Sequence, residues 1–327
     1  MILIFNKLIY KAIYDIISLK YRLTIKFKFK NKTIYLVKSL KEPVKIRKIY
    51  DVRDLEKIVE IEKSAWGMPD YKETTPVHVL KAINENGGLI IGAYDKETMI
   101  GFSMGWIVGC GESQYFYSHM TGVLEDKKYK NIGYQLKLYQ REEVLKMGIK
   151  VIKWTFDPLQ GLNLNFNLEK LGAIARIYKE NYYGNIRDSI NEGLDTDRFE
   201  AEWYISSNYV LNKLRSALKT PSIEELTKKD INIALDRSIE SNIEIPIRKN
   251  FDLKKIILIA IPREISKIKN FDKNIANLWR SYTREAYKFY LSNGYIAVGF
   301  AKNKEKYGYV VLLKTDLNSL LGGNTWI

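Results

Sequence analysis

Cysteine and histidine are scarce in this sequence of 327 residues, which has one cysteine, Cys110, and two histidines, His78 and His119. A single cysteine excludes an internal disulfide, and it also excludes a metal cluster held by several cysteines. Two histidines argue against a multi-histidine metal site. The composition therefore predicts a protein of the reducing cytoplasm that binds no metal.

A long hydrophobic run is also missing. The most apolar stretch, residues 1–19, is interrupted by Lys7, Lys11 and Asp15, whereas a membrane-spanning helix needs about 20 mostly apolar residues. The stretch has no small-residue cleavage site of the kind that ends a signal peptide. We expect an amphipathic helix packed on the body of the protein, with contact to a membrane surface as the alternative.

The charge is strongly positive overall, at +15, but it is unevenly distributed along the chain. Residues 1–42 carry ten Lys or Arg and two acids, residues 43–206 carry 22 and 24, and residues 207–327 carry 21 and 12. Attraction to nucleic acid or to an anionic membrane would therefore act through the two flanks. The alternative is an ordinary lysine-rich surface in contact with solvent.

The pattern of apolar residues predicts three parts. Residues 1–42 form an extension of one helix and a hairpin at 23–37, where apolar and polar residues alternate. Residues 43–206 predict the order β, α, α, β, β, β, α, β, α, β, β, which is an α/β fold with a mixed sheet and helices on its faces. Residues 207–327 predict a smaller C-terminal α/β part.

Three of the predicted helices have defined positions in the sequence. Asp51 can cap the first helix of residues 43–206, in which apolar residues recur at helical spacing. Residues 162–171 predict the last helix of that part, and residues 209–218 predict a helix of the C-terminal part.

The most informative stretch is 121–134, where a strand ends, a short basic loop follows and a helix begins. The first amides of a helix have no partner within it, and they lie at the positive end of the helix dipole, so they bind phosphate. Gly133 permits close approach of an anion, and Asn131 tolerates the left-handed backbone region. Lys127, Lys128 and Lys130 add positive charge. The alternative is a solvated basic loop before a helix.

This stretch resembles the acyl-CoA-binding motif of the GNAT acyltransferase superfamily. In that motif Gln/Arg-x-x-Gly-x-Gly/Ala follows, by five residues, a valine that ends the fourth strand of the family's sheet. Here Val123 precedes Lys128 by five residues, and the motif ends at Gly133. Lysine replaces Gln/Arg and Asn131 replaces the first glycine, so a cation and a residue tolerant of the left-handed region are both kept.

Further blocks in residues 44–206 are similar to a family of predicted GNAT acetyltransferases from archaea and bacteria. These blocks are Ala65-Trp66-Gly67-Met68-Pro69, Ser118-His119-Met120, Leu136-Lys137, Gln140-Arg141-Glu142, Trp154-Thr155-Phe156-Asp157-Pro158 and Leu171-Gly172-Ala173.

The resemblance implies an enzyme that moves an acyl group directly from acyl-CoA, with acetyl-CoA as the expected donor, to an amine within a ternary complex. It implies that Thr121, Gly122 and Val123 hold the pantetheine arm, which enters between the family's fourth and fifth strands. A backbone N–H near the end of the fourth strand would polarise the thioester carbonyl. The cofactor-binding residues of the following loop and helix would be Lys128, Tyr129, Lys130, Asn131, Ile132, Gly133 and Tyr134, and a later helix would add Asn163.

A substrate ammonium must lose a proton before it can attack, so a base or a chain of waters is expected. Asp157 is one candidate, and its alternative role is to close the turn at Pro158. His119 is another, and its alternative is that of a half-buried, hydrogen-bonded histidine. Many GNAT enzymes protonate the departing thiolate with a tyrosine at the position where this chain has Leu168. Tyr183 is the candidate replacement, with aromatic packing of its loop as the alternative.

The sequence leaves three hypotheses open. The first is an N-acyltransferase whose amine acceptor is not defined. The second is a GNAT-fold module that binds acyl-CoA without turnover, which Leu168 favours. The third is a protein that binds nucleic acid or membrane through its basic flanks, although no aromatic-basic recognition motif is present in the sequence.

Overall fold

The computed structural model describes residues 25–29, 32–36, 44–126, 129–303 and 307–323. The described residues form two compact units. The first runs up to Val108 and includes Ser118–Met147, and the second consists of Gly109–Tyr117 together with the described residues from Gly148 onward. The helix predicted in residues 1–19 lies outside the described residues. The domain limits at 42/43 and 206/207 stay a prediction.

The sheet of the first unit is built from strands that follow one another in the chain. They are β1 (Ile25–Phe29), β2 (Lys32–Leu36), β3 (Val44–Lys48), β4 (Leu89–Asp95), β5 (Thr98–Val108) and β6 (Tyr115–Val123), of which the first three residues belong to the second unit. Strands β1 to β5 pair as antiparallel neighbours, and β6 lies beside β5. The hairpin predicted in residues 23–37 is confirmed, with Phe29 opposite Lys32.

The helices of the first unit are α1 (Val52–Trp66), α2 (Val77–Glu85) and α3 (Ile132–Lys146). Helix α1 begins at the predicted cap, because the Asp51 side chain accepts the N–H of Arg53 at 2.9 Å. Its apolar face packs into a core that includes Leu55, Ile58 and Phe102, all fully buried. Helices and sheet therefore bury one shared apolar layer, as the spacing of apolar residues predicted.

The second unit contains the remaining elements. Its strands are β7 (Val151–Phe156), β8 (Ile174–Lys179), β9 (Arg198–Tyr204), β10 (Ile231–Glu240), β11 (Ile243–Arg248), β12 (Ile256–Ile261), β13 (Tyr295–Lys302) and β14 (Gly308–Lys314). Its helices are α4 (Gly161–Leu164), α5 (Asn208–Leu214), α6 (Ile223–Leu226), α7 (Ile265–Phe271), α8 (Lys273–Ser292) and α9 (Leu317–Gly322), with a 3₁₀ turn at Gly111–Ser113 and a π-helix at Asn165–Leu171.

These strands form a mixed sheet in the order β7-β9-β8-β13-β14-β12-β10-β11. Strand β12 pairs on one side with β14 (antiparallel) and on the other with β10 (parallel), and every residue of β12 is buried, so both faces of the sheet are covered here. Helix α8 packs against this sheet through Trp279 and Tyr287, both fully buried. The predicted fold class, mixed sheets flanked by helices, is confirmed.

Some details differ from the sequence prediction. The helix predicted at 162–171 is a short α-helix followed by a π-helix, and the helix predicted at 209–218 ends at Leu214. Strands β10 and β11 were not predicted. In the part of the chain that the structure describes, every helix is too short or too polar to span a bilayer.

Candidate functional site

The end of strand β6 is held tightly within the first unit. A Cβ on Gly122 would lie 2.8 Å from a ring carbon of Phe102 and 3.0 Å from one of Trp66, so only glycine fits here without movement of the rings. One residue earlier, the Thr121 hydroxyl lies 2.8 Å from the Ser103 hydroxyl. After Val123, the N–H of Leu124 donates to the carbonyl of Ile100 at 2.9 Å. The strand therefore keeps a fixed position up to its last residue.

Helix α3 then begins in the way that the sequence predicted for a phosphate site. Asn131 has a φ of 72°, in the left-handed region, and its side chain makes no capping hydrogen bond to the helix. The first helical bond runs from the N–H of Gln135 to the carbonyl of Asn131 at 3.1 Å. The amides of Ile132, Gly133 and Tyr134 precede that bond, at the positive end of the 15-residue helix.

Gly133 faces open space. A Cβ there would meet only Val123, at 3.9 Å, which is an ordinary van der Waals distance. The glycine is therefore not needed for packing, and its absent side chain leaves the neighbouring amides accessible. This is the geometry that an approaching pyrophosphate requires.

The predicted residues of the loop before helix α3 and of its first turn differ in exposure. Lys130 and Asn131 are exposed, whereas Tyr129 is half-buried, with its hydroxyl 3.4 Å from a carboxylate oxygen of Asp95. Tyr134 is half-buried on the first turn, and burial raises the pKa of its phenol. Lys128 lies outside the described residues, so its predicted role stays a prediction.

His119 lies on β6, two residues before Thr121, and it is half-buried. Its ring packs against Trp106 with 5.3 Å between ring centroids, and burial lowers the pKa of the imidazole. A lowered pKa favours the neutral ring near pH 7, which is the form that can take up a proton.

Asp157 belongs to the second unit, where it makes a buried ion pair. Its two oxygens accept one N–H each from the Arg280 guanidinium, both at 2.9 Å, and one of them also accepts the N–H of Leu159 at 2.8 Å. Asp157 and Arg280 are 7% and 3% exposed. The bond from Leu159 is that of the alternative role, in which Asp157 closes the turn at Pro158, and the bonds from Arg280 connect this turn to helix α8. Its catalytic role stays a prediction that the contacts do not favour.

Tyr183, also in the second unit, has a hydroxyl near two others. It lies 2.9 Å from the Thr155 hydroxyl and 3.5 Å from that of Tyr117, whose pKa is raised by burial. The Tyr183 side chain remains 40% exposed. Its phenol is thus both accessible and hydrogen-bonded, which suits a proton donor.

The two remaining predicted positions, Asn163 and Leu168, differ in exposure. Asn163 is exposed on helix α4, where its amide is available to a ligand. Leu168 is fully buried in the π-helix, where the family's tyrosine is expected. The position therefore carries core packing rather than an acid.

The predicted residues are thus divided between the units. The first unit brings together His119, Thr121, Gly122, Val123, Tyr129, Lys130, Asn131, Ile132, Gly133 and Tyr134, and the second contains Asp157, Asn163 and Tyr183. Among the described residues, no three His, Cys, Asp or Glu side chains are grouped so that they could hold a metal ion.

Lys137 and Glu62 are buried charged side chains of the first unit that were not predicted as site residues. Lys137 on α3 donates to the Ser118 hydroxyl at 2.6 Å and to the Gln140 amide oxygen at 3.3 Å. Glu62 on α1 accepts the N–H of Thr75 at 2.7 Å. Burial lowers the pKa of Lys137 and raises the pKa of Glu62, in each case to about 7. The sequence signal that could have identified Lys137 and Glu62 is a charged residue at a helix position where the spacing predicts an apolar residue.

Comparison with known proteins returns no matching family model and no matching curated protein. Solved structures do match. The PaiA N-acetyltransferase of Thermoplasma acidophilum, in complex with coenzyme A, is 18% identical over 49% of this chain and 98% of its own, with a TM-score of 0.37. The ribosomal-protein-S18-alanine N-acetyltransferase of Escherichia coli is 17% identical over 50% of this chain and 94% of its own, with a TM-score of 0.39.

A third match, from Desulfovibrio desulfuricans, is assigned to the GNAT family of acetyltransferases. It is 14% identical over 50% of this chain and 99% of its own, with a TM-score of 0.39. The matching structures named here are thus acetyltransferases, the class that the sequence motif resembles.

Proposed function

We propose that this chain is an acyl-CoA-dependent N-acyltransferase that uses acetyl-CoA as donor. One observation carries the proposal, namely the turn from strand β6 into helix α3. Asn131 in the left-handed region and the open space at Gly133 leave the first amides of the helix accessible to an anion. The pyrophosphate of CoA binds those amides, and the pantetheine arm runs along the backbone of residues 121–123.

The reaction follows from that placement. The lone pair of a substrate amine attacks the thioester carbonyl carbon, a C–N bond forms, and the C–S bond breaks. The amine nitrogen loses one proton and the departing thiolate gains one, so the products are an amide and CoA. His119, as a neutral imidazole, takes the proton from the amine, and a solvent water supplies one to the thiolate.

The alternative function is an acyl-CoA-binding module without turnover, and the burial of Leu168 favours it. A buried leucine cannot protonate a thiolate. The rate of CoA release, measured with and without an amine acceptor, distinguishes the two functions. The enzyme releases CoA faster when an amine acceptor is present, whereas the binding module holds acetyl-CoA and releases no CoA above the background rate.

The first test is a thermal-shift titration of the chain with acetyl-CoA, CoA and ATP, where ATP controls for adenine and phosphate binding. A ligand that binds only the native state, at about 100 times its dissociation constant, adds about 2.7 kcal/mol to the free energy of unfolding. We expect acetyl-CoA and CoA to raise the melting temperature more than ATP does. No shift with any of them would contradict the proposal.

Two variants of Gly133, measured in the same titration, test whether this residue lies at the phosphate site. Gly133→Ala is the matched control, because its Cβ meets Val123 only at an ordinary distance. Gly133→Glu places a carboxylate where the pyrophosphate binds, and we expect the shift with both CoA ligands to vanish while the melting temperature without ligand stays close to that of Gly133→Ala. Normal CoA binding by Gly133→Glu would place the phosphate elsewhere.

A further inference from the structure

A chain of hydrogen bonds connects helix α3 to strand β6 by way of strand β5. The Lys137 ammonium lies 3.3 Å from the amide oxygen of Gln140, and the amide nitrogen of Gln140 lies 3.0 Å from the Ser103 hydroxyl. That hydroxyl lies 2.8 Å from the hydroxyl of Thr121. Lys137, Gln140 and Ser103 are buried, whereas Thr121 is half-buried. The chain of hydrogen bonds therefore runs from the interior of the first unit to a half-buried threonine.

The chemistry of the groups sets the direction of the first two bonds. A lysine ammonium has donors only, so Gln140 turns its oxygen toward Lys137 and its NH₂ toward Ser103. The Ser103 oxygen accepts from Gln140, and its two lone pairs and single hydrogen allow either direction for its bond with Thr121. When Ser103 donates this bond, the Thr121 oxygen accepts it and the Thr121 hydrogen can be donated to a ligand.

Two contacts keep this arrangement in place. Lys137 also donates to the Ser118 hydroxyl at 2.6 Å, which anchors the lysine to β6. The next residue of the strand, Gly122, is fixed beneath Trp66 and Phe102. The Thr121 hydroxyl is therefore held at a fixed position beside Ser103.

We propose that the Thr121 hydroxyl donates a hydrogen bond to the thioester carbonyl oxygen of bound acyl-CoA, and that Ser103, Gln140 and Lys137 are positioning residues that orient it. The inference rests on the proposed function, since that function places the thioester beside residues 121–123. A donor that is already oriented needs little reorganisation when the ligand binds, so its contact is retained in the measured affinity.

The test compares acetyl-CoA with CoA, because CoA has no thioester carbonyl. Both are titrated calorimetrically into the full chain at pH 6.5, where Lys137 is mostly protonated. Thr121→Val removes the hydroxyl and keeps the shape of the side chain. We expect it to weaken acetyl-CoA binding about fivefold, the effect of one hydrogen bond, and to change CoA binding less than twofold.

Three further variants sharpen the result. Thr121→Ser keeps the hydroxyl, so its acetyl-CoA affinity stays within about twofold of wild type. Gln140→Met breaks the chain before Ser103 and weakens acetyl-CoA binding in the same selective way. Thr98→Val, at an exposed threonine that begins β5, is the matched control and leaves both affinities unchanged.

The outcomes separate this inference from the proposed function. Equal loss of both ligands in Thr121→Val, or loss of neither, overturns the role of Thr121 and leaves the acyltransferase proposal standing. A wild-type chain that binds neither acetyl-CoA nor CoA overturns the proposed function, and the inference falls with it. Selective loss of acetyl-CoA binding that serine restores supports the proposal.

Discussion

A buried ion pair in the second unit and two buried charged side chains in the first are held in different ways. In the second unit, Asp157 and Arg280 form a two-point ion pair, and each side chain is less than 10% exposed. In the first unit, Glu62 accepts a backbone N–H, and Lys137 donates to a hydroxyl and an amide oxygen. Opposite charges in close contact stabilise each other's ionised form, whereas burial against neutral dipoles favours the uncharged form.

The pKa directions follow this difference. Burial raises the pKa of Glu62 to about 7 and lowers that of Lys137 to about 7. Burial lowers the Arg280 pKa, but the charge and hydrogen bonds of Asp157, together with nearby Tyr178 and Asp197, raise it by more, so it lies above its ordinary value. Asp157 and Arg280 therefore hold each other in the charged form, whereas Glu62 and Lys137 titrate near neutral pH. Groups of the latter kind are the ones that chemistry can use.

The largest expected effect comes from breaking the ion pair. Arg280→Met leaves the Asp157 carboxylate buried beside a thioether, and we expect the free energy of unfolding to fall by about 3–5 kcal/mol. Chemical denaturation followed by circular dichroism measures it. The control is Arg248→Met, which removes an exposed arginine paired with Glu285 and is expected to cost less than about 1 kcal/mol. Equal losses in the two variants would show that the buried pair adds no special stability.

Much of the fold could be predicted from local pattern alone. Helix α1 was predicted from a capping aspartate, Asp51, and from apolar residues at helical spacing, and both features are present. The left-handed backbone of Asn131 was predicted from residue type and from its place in the motif. In these cases the signal lies within a few residues of the feature that it predicts.

Strands β10 and β11 show why other elements were missed. They meet at Ser241 and Asn242, which both have positive φ although neither is the usual glycine. Pro246 lies within β11, and a proline within an apolar run weakens a strand prediction. Pro246 is tolerated because β11 is the last strand of its sheet, and the outer edge of such a strand needs no backbone hydrogen-bond donors.

The side-chain network could not be predicted for a different reason. Ser103, Thr121 and Gln140 come from two strands and a helix, and their contacts depend on tertiary packing that no local pattern encodes. The same holds for Asp157 and Arg280, which are 123 residues apart in sequence. Asp157 was a predicted site residue, but nothing in the sequence paired it with Arg280.

A smaller effect on stability is expected from the titration of Lys137 in the first unit. The pKa of Lys137 is about 7 in the folded chain and 10.5 ordinarily, so the unfolded chain binds more protons between those values. Stability therefore rises with pH in this window and is lost as the pH falls toward 7. We expect wild type to gain about 2 kcal/mol between pH 7 and pH 9 from this group, and Lys137→Met to lack that gain.

Urea denaturation at both pH values measures the difference. The control is Lys146→Met, in which an exposed lysine at the end of the same helix is replaced, and it keeps the wild-type gain. If Lys137→Met also showed the gain in stability, Lys137 would not titrate near neutral pH. It would then no longer differ in this respect from Arg280.

The smallest expected effect has the opposite sign and comes from Glu62. Its pKa is about 7 in the folded chain and 4.5 ordinarily, so the folded chain binds more protons between those values and stability falls as the pH rises. Between pH 5.5 and pH 7 we expect wild type to lose about 1.5 kcal/mol from this group. Glu62→Gln stays neutral and can still accept the Thr75 N–H, so it should show no such loss in urea denaturation. Glu56→Gln, at an exposed site on the same helix, keeps the wild-type loss. A Glu62→Gln profile parallel to wild type would mean that Glu62 is already ionised at pH 5.5, so that the Thr75 amide stabilises its charge as Arg280 stabilises that of Asp157.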